Sequence, residues 1–145
     1  SKYGTGLIHI KRVGKYFQNL DEPLKAIVFG ADQNPGAIRP NTYWTTFMNQ
    51  ETAVMFGTEK YATEYDMPVI YVSIDKVERG YYEMEFSVIN LNPTESAYTE
   101  ITEAHTRRLE QQINNKPEFY LWSHKRWKHK RQRTNNQPSQ PVTPA

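Results

Sequence analysis

Residues 68–88 read PVIYVSIDKVERGYYEMEFSV, and this stretch decides the predicted fold. Its first part, Val69 to Ile74, is rich in β-branched and aromatic residues, which favour a strand. Arg79 and Gly80 then interrupt the pattern, and apolar and polar residues alternate from Tyr82 to Val88. Alternation with a period of two is typical of a strand with one exposed face. The stretch therefore predicts a β-hairpin whose second strand is half exposed.

Helices are predicted on both sides of this hairpin. The segment from Thr99 to Asn114 gives the clearest pattern, because four side chains recur every four residues and form one face. These side chains are Ile101, His105, Leu109 and Ile113. Gln50 to Tyr65 predicts a second helix, and Val13 to Leu20 predicts a third. After the helix predicted at Thr99 to Asn114, Pro117 suits the first position of another short helix through Trp122.

Strands and a loop are predicted before residue 50. The order begins with Leu7 to Ile10, a short apolar run that predicts the first strand. Ala26 to Ala31 is an apolar run that stops at polar turn residues, as a buried strand does. Residues 34–42 contain two Pro, two Asn and one Gly, and they predict a loop. Tyr43 to Met48 predicts a short strand or an extended arm. This order of elements predicts an α/β fold, with helices flanking one mixed sheet of parallel and antiparallel strand pairs.

The composition limits the class of protein. The 145 residues suit one domain, at 1–131, and the polar residues 132–145 predict a disordered tail. The chain has no Cys, which excludes a disulfide scaffold, a thiolate metal site and a Cys nucleophile. It has no apolar run of about 18 residues, so no bilayer-spanning helix is predicted. Since it begins without Met or an apolar leader, we expect a truncated or processed N-terminus.

Positive charge is concentrated near the C-terminus. Residues 124–133 hold six of the 18 Lys and Arg, two His and no acid. Trp122 and Trp127 interleave with these cations. A nucleic-acid patch would use the cations on phosphates and the rings for stacking. A membrane-surface patch would set Trp at the interface and the cations on anionic head groups, and composition does not rank these two. The third interpretation is a solvated terminus with both Trp folded onto the core.

Two polar residues follow the predicted strand at Ala26 to Ala31. Asp32 and Gln33 stand where ligands bind in open α/β sheets, and an acid and an amide there can orient a polar substrate. The competing interpretation is an Asp that hydrogen-bonds its own turn beside Asn34. The four His show no metal-ligand spacing, so we predict no metal site and no cofactor.

Residues 117–128 read PEFYLWSHKRWK and give the first indication of a family. They resemble the C-terminal signature of bacterial lipid A biosynthesis (lauroyl or myristoyl) acyltransferases, which typically end in a PEQWLWxHRRWK-like stretch. Two upstream pieces agree in chain order. Ala31-Asp32-Gln33 resembles the family's DQ element after a strand, and Met67-Pro68-Val69-Ile70 resembles the block after a helix. The likeness covers residues 3–131.

This resemblance implies the C-terminal half of a membrane-associated enzyme with a glycerolipid-acyltransferase-like fold. Such enzymes transfer a fatty acyl chain from an acyl carrier protein thioester to a lipid A precursor, at the cytoplasmic face of the bacterial inner membrane. Substrate contacts are expected at Asp32, Gln33 and Arg39. Contacts with an anionic membrane or with lipid phosphates, chosen by charge and position, are expected at Trp122, Lys125, Arg126, Trp127 and Lys128.

Two alternatives accompany these expectations. Arg126 and Trp127 have a second candidate role, which is to dock the terminal helix onto the sheet. The alternative function is a standalone nucleic-acid-binding module that uses the basic aromatic end. The upstream elements that resemble the family count against this module, and we expect no nucleic acid as a partner.

The catalytic motif of the family is not found in this chain. The resemblance implies an H-x-x-x-x-D/E motif in an HxGNWE-like string of the N-terminal half, where the His is the general base. Here His105 and Glu110 have that spacing. However, five residues at about 100° each separate them by roughly 140° around one helix, and His105 shares the apolar face. We therefore predict no catalytic residue in this chain and no acyl transfer by the chain alone.

Overall fold

The predicted hairpin at residues 68–88 is present in the computed structural model, which describes residues 4–20, 25–39 and 42–131. The described chain divides into two units. The first unit comprises residues 4–20, 25–30 and 56–105. The second comprises residues 31–39, 42–55 and 106–131. The predicted disordered tail at 132–145 lies outside the described residues.

Three α-helices and four β-strands are described. In chain order they are α1 (Val13–Gln18), β1 (Tyr43–Phe47), β2 (Gln50–Val54), α2 (Gly57–Tyr65), β3 (Val69–Glu78), β4 (Tyr81–Asn90) and α3 (Glu100–Asn115). Helix α3 begins in the first unit and continues into the second after His105. The predicted short helix after Pro117 is a single 3-10 turn, Pro117–Phe119.

In the first unit, β3 and β4 form an antiparallel hairpin that turns at Arg79 and Gly80. Gly80 has a φ of 87°, a left-handed conformation that glycine adopts without steric cost. The hairpin is more exposed than predicted, because one face of both strands is apolar and open. This face consists of Ile70, Val72 and Ile74 opposite Val88, Phe86 and Met84.

Aromatic rings form the other packed part of the first unit. Phe17 of α1 is buried and stacks on Tyr61 of α2, with ring centroids 4.3 Å apart. Phe29 lies next to both rings, at centroid distances of 6.4 and 6.3 Å. This stacking joins α1, α2 and the segment before residue 31, because large aromatic side chains bury much apolar area.

The second unit is built on the β1–β2 hairpin. Met48 and Asn49 form its two-residue turn with φ values of 50° and 60°, as a type I′ turn requires. Phe47 at the end of β1 is fully buried against Leu109 and Ile113 of α3. The apolar face predicted for α3 therefore supplies this core.

The predicted helix from Gln50 to Tyr65 is wrong in its first part. Gln50–Val54 is strand β2, and the helix begins only at Gly57. Thr52, Ala53 and Val54 are buried in succession, which gives neither a helical nor an alternating pattern. The turn was also hidden from the sequence, because Met is an unusual residue for a type I′ turn.

The predicted strand at Leu7 to Ile10 is wrong, since no strand is found there and Ile10 begins a 3-10 turn. The predicted strand at Ala26 to Ala31 is also wrong, since these residues pair with no described strand. Their side chains still alternate, with Ile27 and Phe29 partly buried and Val28 90% exposed. An extended segment becomes a strand only when a neighbour completes its hydrogen-bond ladder.

The α/β class is confirmed, but the single mixed sheet is not. The described strands form two separate antiparallel sheets of two strands each. No helix among residues 4–20, 25–39 and 42–131 is long and apolar enough to cross a membrane.

Candidate functional site

A loop at residues 31–36, which we call the docked loop, is fastened to the C-terminal segment at residues 117–131. The main-chain and side-chain N–H groups of Asn34 lie 3.3 and 3.0 Å from Nε2 of His124. The Asn34 side chain also donates to the carbonyl oxygen of Lys125 at 2.8 Å. His129 adds a hydrogen bond from its Nε2 to the Pro35 carbonyl oxygen, at 3.0 Å.

Asp32 lies beside two polar side chains of the C-terminal segment. The Tyr120 hydroxyl donates to the Asp32 carbonyl oxygen at 3.1 Å. Burial raises the pKa of Tyr120, while the charge of Arg126 lowers this pKa and the charge of Asp32 raises it. The Asp32 carboxylate is partly buried, and no hydrogen bond to it comes from the described residues. It is therefore able to accept hydrogen bonds from a ligand's hydroxyl groups.

Arg126 is a core residue of the second unit. Its side chain is 3% exposed, one guanidinium N–H donates to the Ala53 carbonyl oxygen at 2.8 Å, and the guanidinium lies 5.2 Å from the centre of the Phe47 ring. Burial lowers its pKa, and the interactions with Tyr120 and Asp32 raise it. The expectation of a lipid-phosphate contact at Arg126 is therefore corrected, because the guanidinium is withdrawn from the surface.

Trp127 also contacts residues inside the second unit. Its indole N–H donates to the Thr52 hydroxyl at 2.9 Å, and its ring lies 6.3 Å from that of Phe47. Arg126 and Trp127 thus both contact strand β2, as in the alternative role of docking onto a sheet, although neither lies in a helix. Trp127 is only partly buried, so its expected membrane contact stays a prediction.

The other predicted contact residues stay on the surface. Lys125, Lys128 and Trp122 are exposed, as are Gln33 and Arg39. Two apolar side chains next to Trp122, Phe119 and Leu121, are more than half exposed. The structure thus separates the basic aromatic stretch into a buried anchor and an exposed cationic and apolar surface.

His105 and Glu110 are both engaged in packing. The Glu110 carboxylate accepts from the Met48 main-chain N–H and from Arg107, and so it fixes the β1–β2 turn. The His105 ring lies 5.7 Å from the Tyr71 ring. The rejection of this pair as a catalytic dyad stays a prediction. Among the described residues, no group of three or more His, Asp or Glu could hold a metal ion.

Sequence reasoning missed Asn34, Tyr120 and His124 as parts of the site. Asn34 was interpreted only as a turn residue, yet it joins segments that are about 90 residues apart. No local pattern signals such a long-range hydrogen bond. The one signal for this connection was that the DQ element and the PEFYLWSHKRWK segment both resemble parts of the same family.

A comparison with known families gives one match. A family model described as bacterial lipid A biosynthesis acyltransferase matches residues 22–129. A search of curated proteins and a search of solved structures found no match. The matched range contains the docked loop and nearly all of the C-terminal segment. These two parts include the DQ element and the PEFYLWSHKRWK stretch, on which the resemblance was based. The chain therefore belongs to the bacterial lipid A biosynthesis acyltransferase family.

Proposed function

We propose that this chain is the C-terminal portion of an acyltransferase that moves a fatty acyl chain from an acyl carrier protein thioester to a lipid A precursor. The observation that carries the proposal is the attachment of the docked loop to the C-terminal segment, both within the family match. We further propose a glycerolipid-acyltransferase-like fold for the complete catalytic unit.

The docked loop forms part of the acceptor-binding surface in this proposal. Tyr120 and Asn34 hold the loop backbone, and the Asp32 carboxylate is thereby kept beside the buried Arg126. A carboxylate held in this way orients sugar hydroxyl groups by accepting their hydrogen bonds. Exposed Gln33 adds an amide donor and acceptor, and exposed Arg39 adds a cation for an acceptor phosphate.

The proton transfer of the reaction is assigned to residues outside this chain. Acyl transfer needs a general base within hydrogen-bond reach of the attacking hydroxyl. The pair with the family spacing, His105 and Glu110, is engaged in other contacts. The chain therefore contributes substrate surface and scaffold, and we expect it to be inactive alone.

The exposed part of the C-terminal segment faces an anionic membrane in this proposal, at the cytoplasmic face of the bacterial inner membrane. Trp122 with its apolar neighbours suits the interfacial region, and Lys125 and Lys128 suit anionic head groups. The nucleic-acid alternative gains no support, because Trp127 and Arg126 are occupied by Thr52 and Ala53.

Equilibrium binding of a lipid A precursor in neutral detergent micelles tests the acceptor surface. Asp32→Asn keeps the shape of the side chain and removes its charge, and we expect it to weaken binding about tenfold, the equivalent of about 1.4 kcal/mol. Glu118→Gln neutralises an exposed carboxylate in the same unit and should leave the affinity unchanged. Equal affinities for the wild type and Asp32→Asn would remove Asp32 from the acceptor surface.

A further inference from the structure

One face of the β3–β4 hairpin is open to solvent. The opposite face is partly buried, and the Tyr71 ring there lies 5.7 Å from the His105 ring of α3. The open face, which we call the hairpin face, consists of six apolar side chains and of Tyr82 beside the turn, all between 38% and 65% exposed. The six are Ile70, Val72, Ile74, Met84, Phe86 and Val88. The first unit therefore presents a continuous apolar sheet surface to solvent.

The hairpin face is large for a surface that only solvent covers. Its side chains expose on the order of 700 Å² of mostly apolar area, given their exposed fractions and ordinary side-chain areas. The largest contiguous apolar patch on a monomer rarely exceeds about 600 Å², and a stable interface buries about 800 Å² on each partner. The hairpin face therefore has about the area that one side of a stable protein interface needs.

The charges of the hairpin favour a protein partner over an anionic lipid surface. An anionic leaflet attracts cationic segments and repels acidic ones. Residues 69–90 contain more acids than cations. The acids are Asp75, Glu78, Glu83 and Glu85, and the cations are Lys76 and Arg79.

The two ends of the hairpin face carry opposite charges. Lys76 lies opposite Tyr82 at the turn end, and its side chain is exposed. At the other end, exposed Glu95 lines the same surface depression as Val88. A surface with opposite charges at its two ends is complementary to a copy of itself that is turned end to end.

We propose that the hairpin face is the interface between two copies of this chain. The two hairpins pack face to face, as the sheets of a β-sandwich do, about a two-fold axis that runs across the strands. This axis makes the strands of the two copies antiparallel and brings Lys76 of each copy next to Glu95 of the other. A two-fold axis along the strands would instead bring Lys76 next to Lys76. The interface is independent of the proposed transferase function, because none of its residues lies in the docked loop or the C-terminal segment.

Sedimentation equilibrium of the full chain over a wide range of protein concentrations tests this interface. We expect a reversible monomer–dimer equilibrium that saturates at the dimer. Phe86→Thr with Ile74→Thr should weaken dimerisation at least tenfold, because it removes apolar area while the β-branched Thr keeps the preference for a strand. Leu7→Thr with Val28→Thr is the control, since these side chains are exposed in the same unit but lie outside the hairpin face. The control should leave dimerisation unchanged.

Charge reversal tests the direction of packing. Lys76→Glu and Glu95→Lys should each weaken dimerisation at least threefold, because each variant places like charges together at both ends of the interface. The combined reversal should restore the affinity of the wild type, since opposite charges meet again. Circular dichroism shows directly whether each variant is folded.

Several results would overturn the proposal. A monomer at every concentration, or an unchanged affinity in the folded Phe86 and Ile74 double variant, would remove the hairpin face as an interface between copies. Association beyond the dimer would reject a closed two-fold interface, and a combined charge reversal that restores no affinity would reject the antiparallel arrangement. A longer polypeptide with the family's upstream residues should dimerise in the same way, and a monomer there would assign the face to those residues.

Discussion

The Arg126 guanidinium is buried, although Lys125 and Lys128 on either side are exposed. One guanidinium N–H donates to the Ala53 carbonyl oxygen while the planar group lies over the Phe47 ring, and a Lys ammonium group does not have this shape. The Arg126 Nε has no hydrogen-bond partner among the described residues. The hydrogen bond to Ala53 and the contact with the Phe47 ring therefore offset the free-energy cost of burying the charge. At the scale of single residues, the run of Lys and Arg near the C-terminus thus contains both a buried and an exposed kind of side chain.

Replacing Arg126 by Lys should show this difference. The ammonium group keeps the charge and loses the geometry toward Ala53 and Phe47, so we expect the free energy of unfolding to fall by about 2 kcal/mol. Urea unfolding measures this change. Arg131→Lys is the matched control, because Arg131 is exposed and its ion pair with Glu51 contributes little. Similar losses in both variants would contradict the buried-anchor role.

Tyr120→Phe removes the hydroxyl that holds the docked loop at Asp32. At neutral pH we expect a loss of about 1 kcal/mol of unfolding free energy, the usual contribution of one hydrogen bond. The raised pKa of Tyr120 adds a pH dependence. The native state retains the phenol proton more firmly, so this contribution is complete below the ordinary tyrosine pKa of about 10 and is lost as pH rises through the raised value.

The measurement is urea unfolding at pH 8 and at pH 10.5. The wild type should lose more stability between these pH values than Tyr120→Phe does. Tyr81→Phe controls for general tyrosine titration, because Tyr81 is 65% exposed. If the free energies of unfolding of Tyr120→Phe and the wild type change equally with pH, the raised pKa of Tyr120 is contradicted.

At the scale of elements, helix α3 depends on a carboxylate from another helix. Glu59 of α2 is buried and accepts hydrogen bonds from the main-chain N–H groups of Thr99 and Thr102. Both N–H groups lie at the helix start, where a negative charge is favourable. The same contact holds Thr99 at a φ of 74°, which is unusual for a β-branched residue.

Glu59→Gln should therefore destabilise the chain by about 2 kcal/mol, because it loses charge-assisted hydrogen bonds in a buried place. The effect should be strongest on α3, so hydrogen exchange of the first amides of α3 should accelerate more than exchange in β3. Glu64→Gln changes an exposed carboxylate on the same helix and should alter neither. Unchanged exchange at the start of α3 would show that Glu59 does not cap the helix.

The elements show what sequence patterns determine. Helix α3 and the β3–β4 hairpin were predicted correctly, because their periodicity is local and strong. Gln50–Val54 was misassigned because pairing with β1 and consecutive burial decide its conformation. For the site, Asp32 and the C-terminal segment were selected by motif, whereas the Asn34–His124 connection depends on tertiary packing that one sequence does not reveal.

At the scale of the whole molecule, charge and apolar surface are distributed unevenly. The C-terminal segment is cationic, and its exposed residues include Phe119, Leu121 and Trp122. Attraction to an anionic leaflet is about 1 kcal/mol for each nearby cation. This combination is the physical basis of the proposed membrane contact.

Reversing Lys125 and Lys128 to Glu should weaken binding to phosphatidylglycerol-containing vesicles by at least 30-fold, the equivalent of about 2 kcal/mol. Sedimentation with vesicles measures the partition coefficient. Binding to purely zwitterionic vesicles should change little. The control reverses Lys60 and Lys76, two exposed cations of the first unit. An equal loss in the control would indicate a nonspecific effect of net charge.

The central claim, a C-terminal portion of a lipid A acyltransferase, is tested most directly by an acyl-transfer measurement. The donor is a radiolabelled acyl carrier protein thioester and the acceptor is a lipid A precursor. The enzyme is either this chain alone or a longer polypeptide that carries the family's upstream residues. We predict transfer only by the longer polypeptide, and its loss on Asp32→Asn. Transfer by this chain alone would contradict the assignment of the general base to residues outside it, and no transfer by either would contradict the proposed function itself.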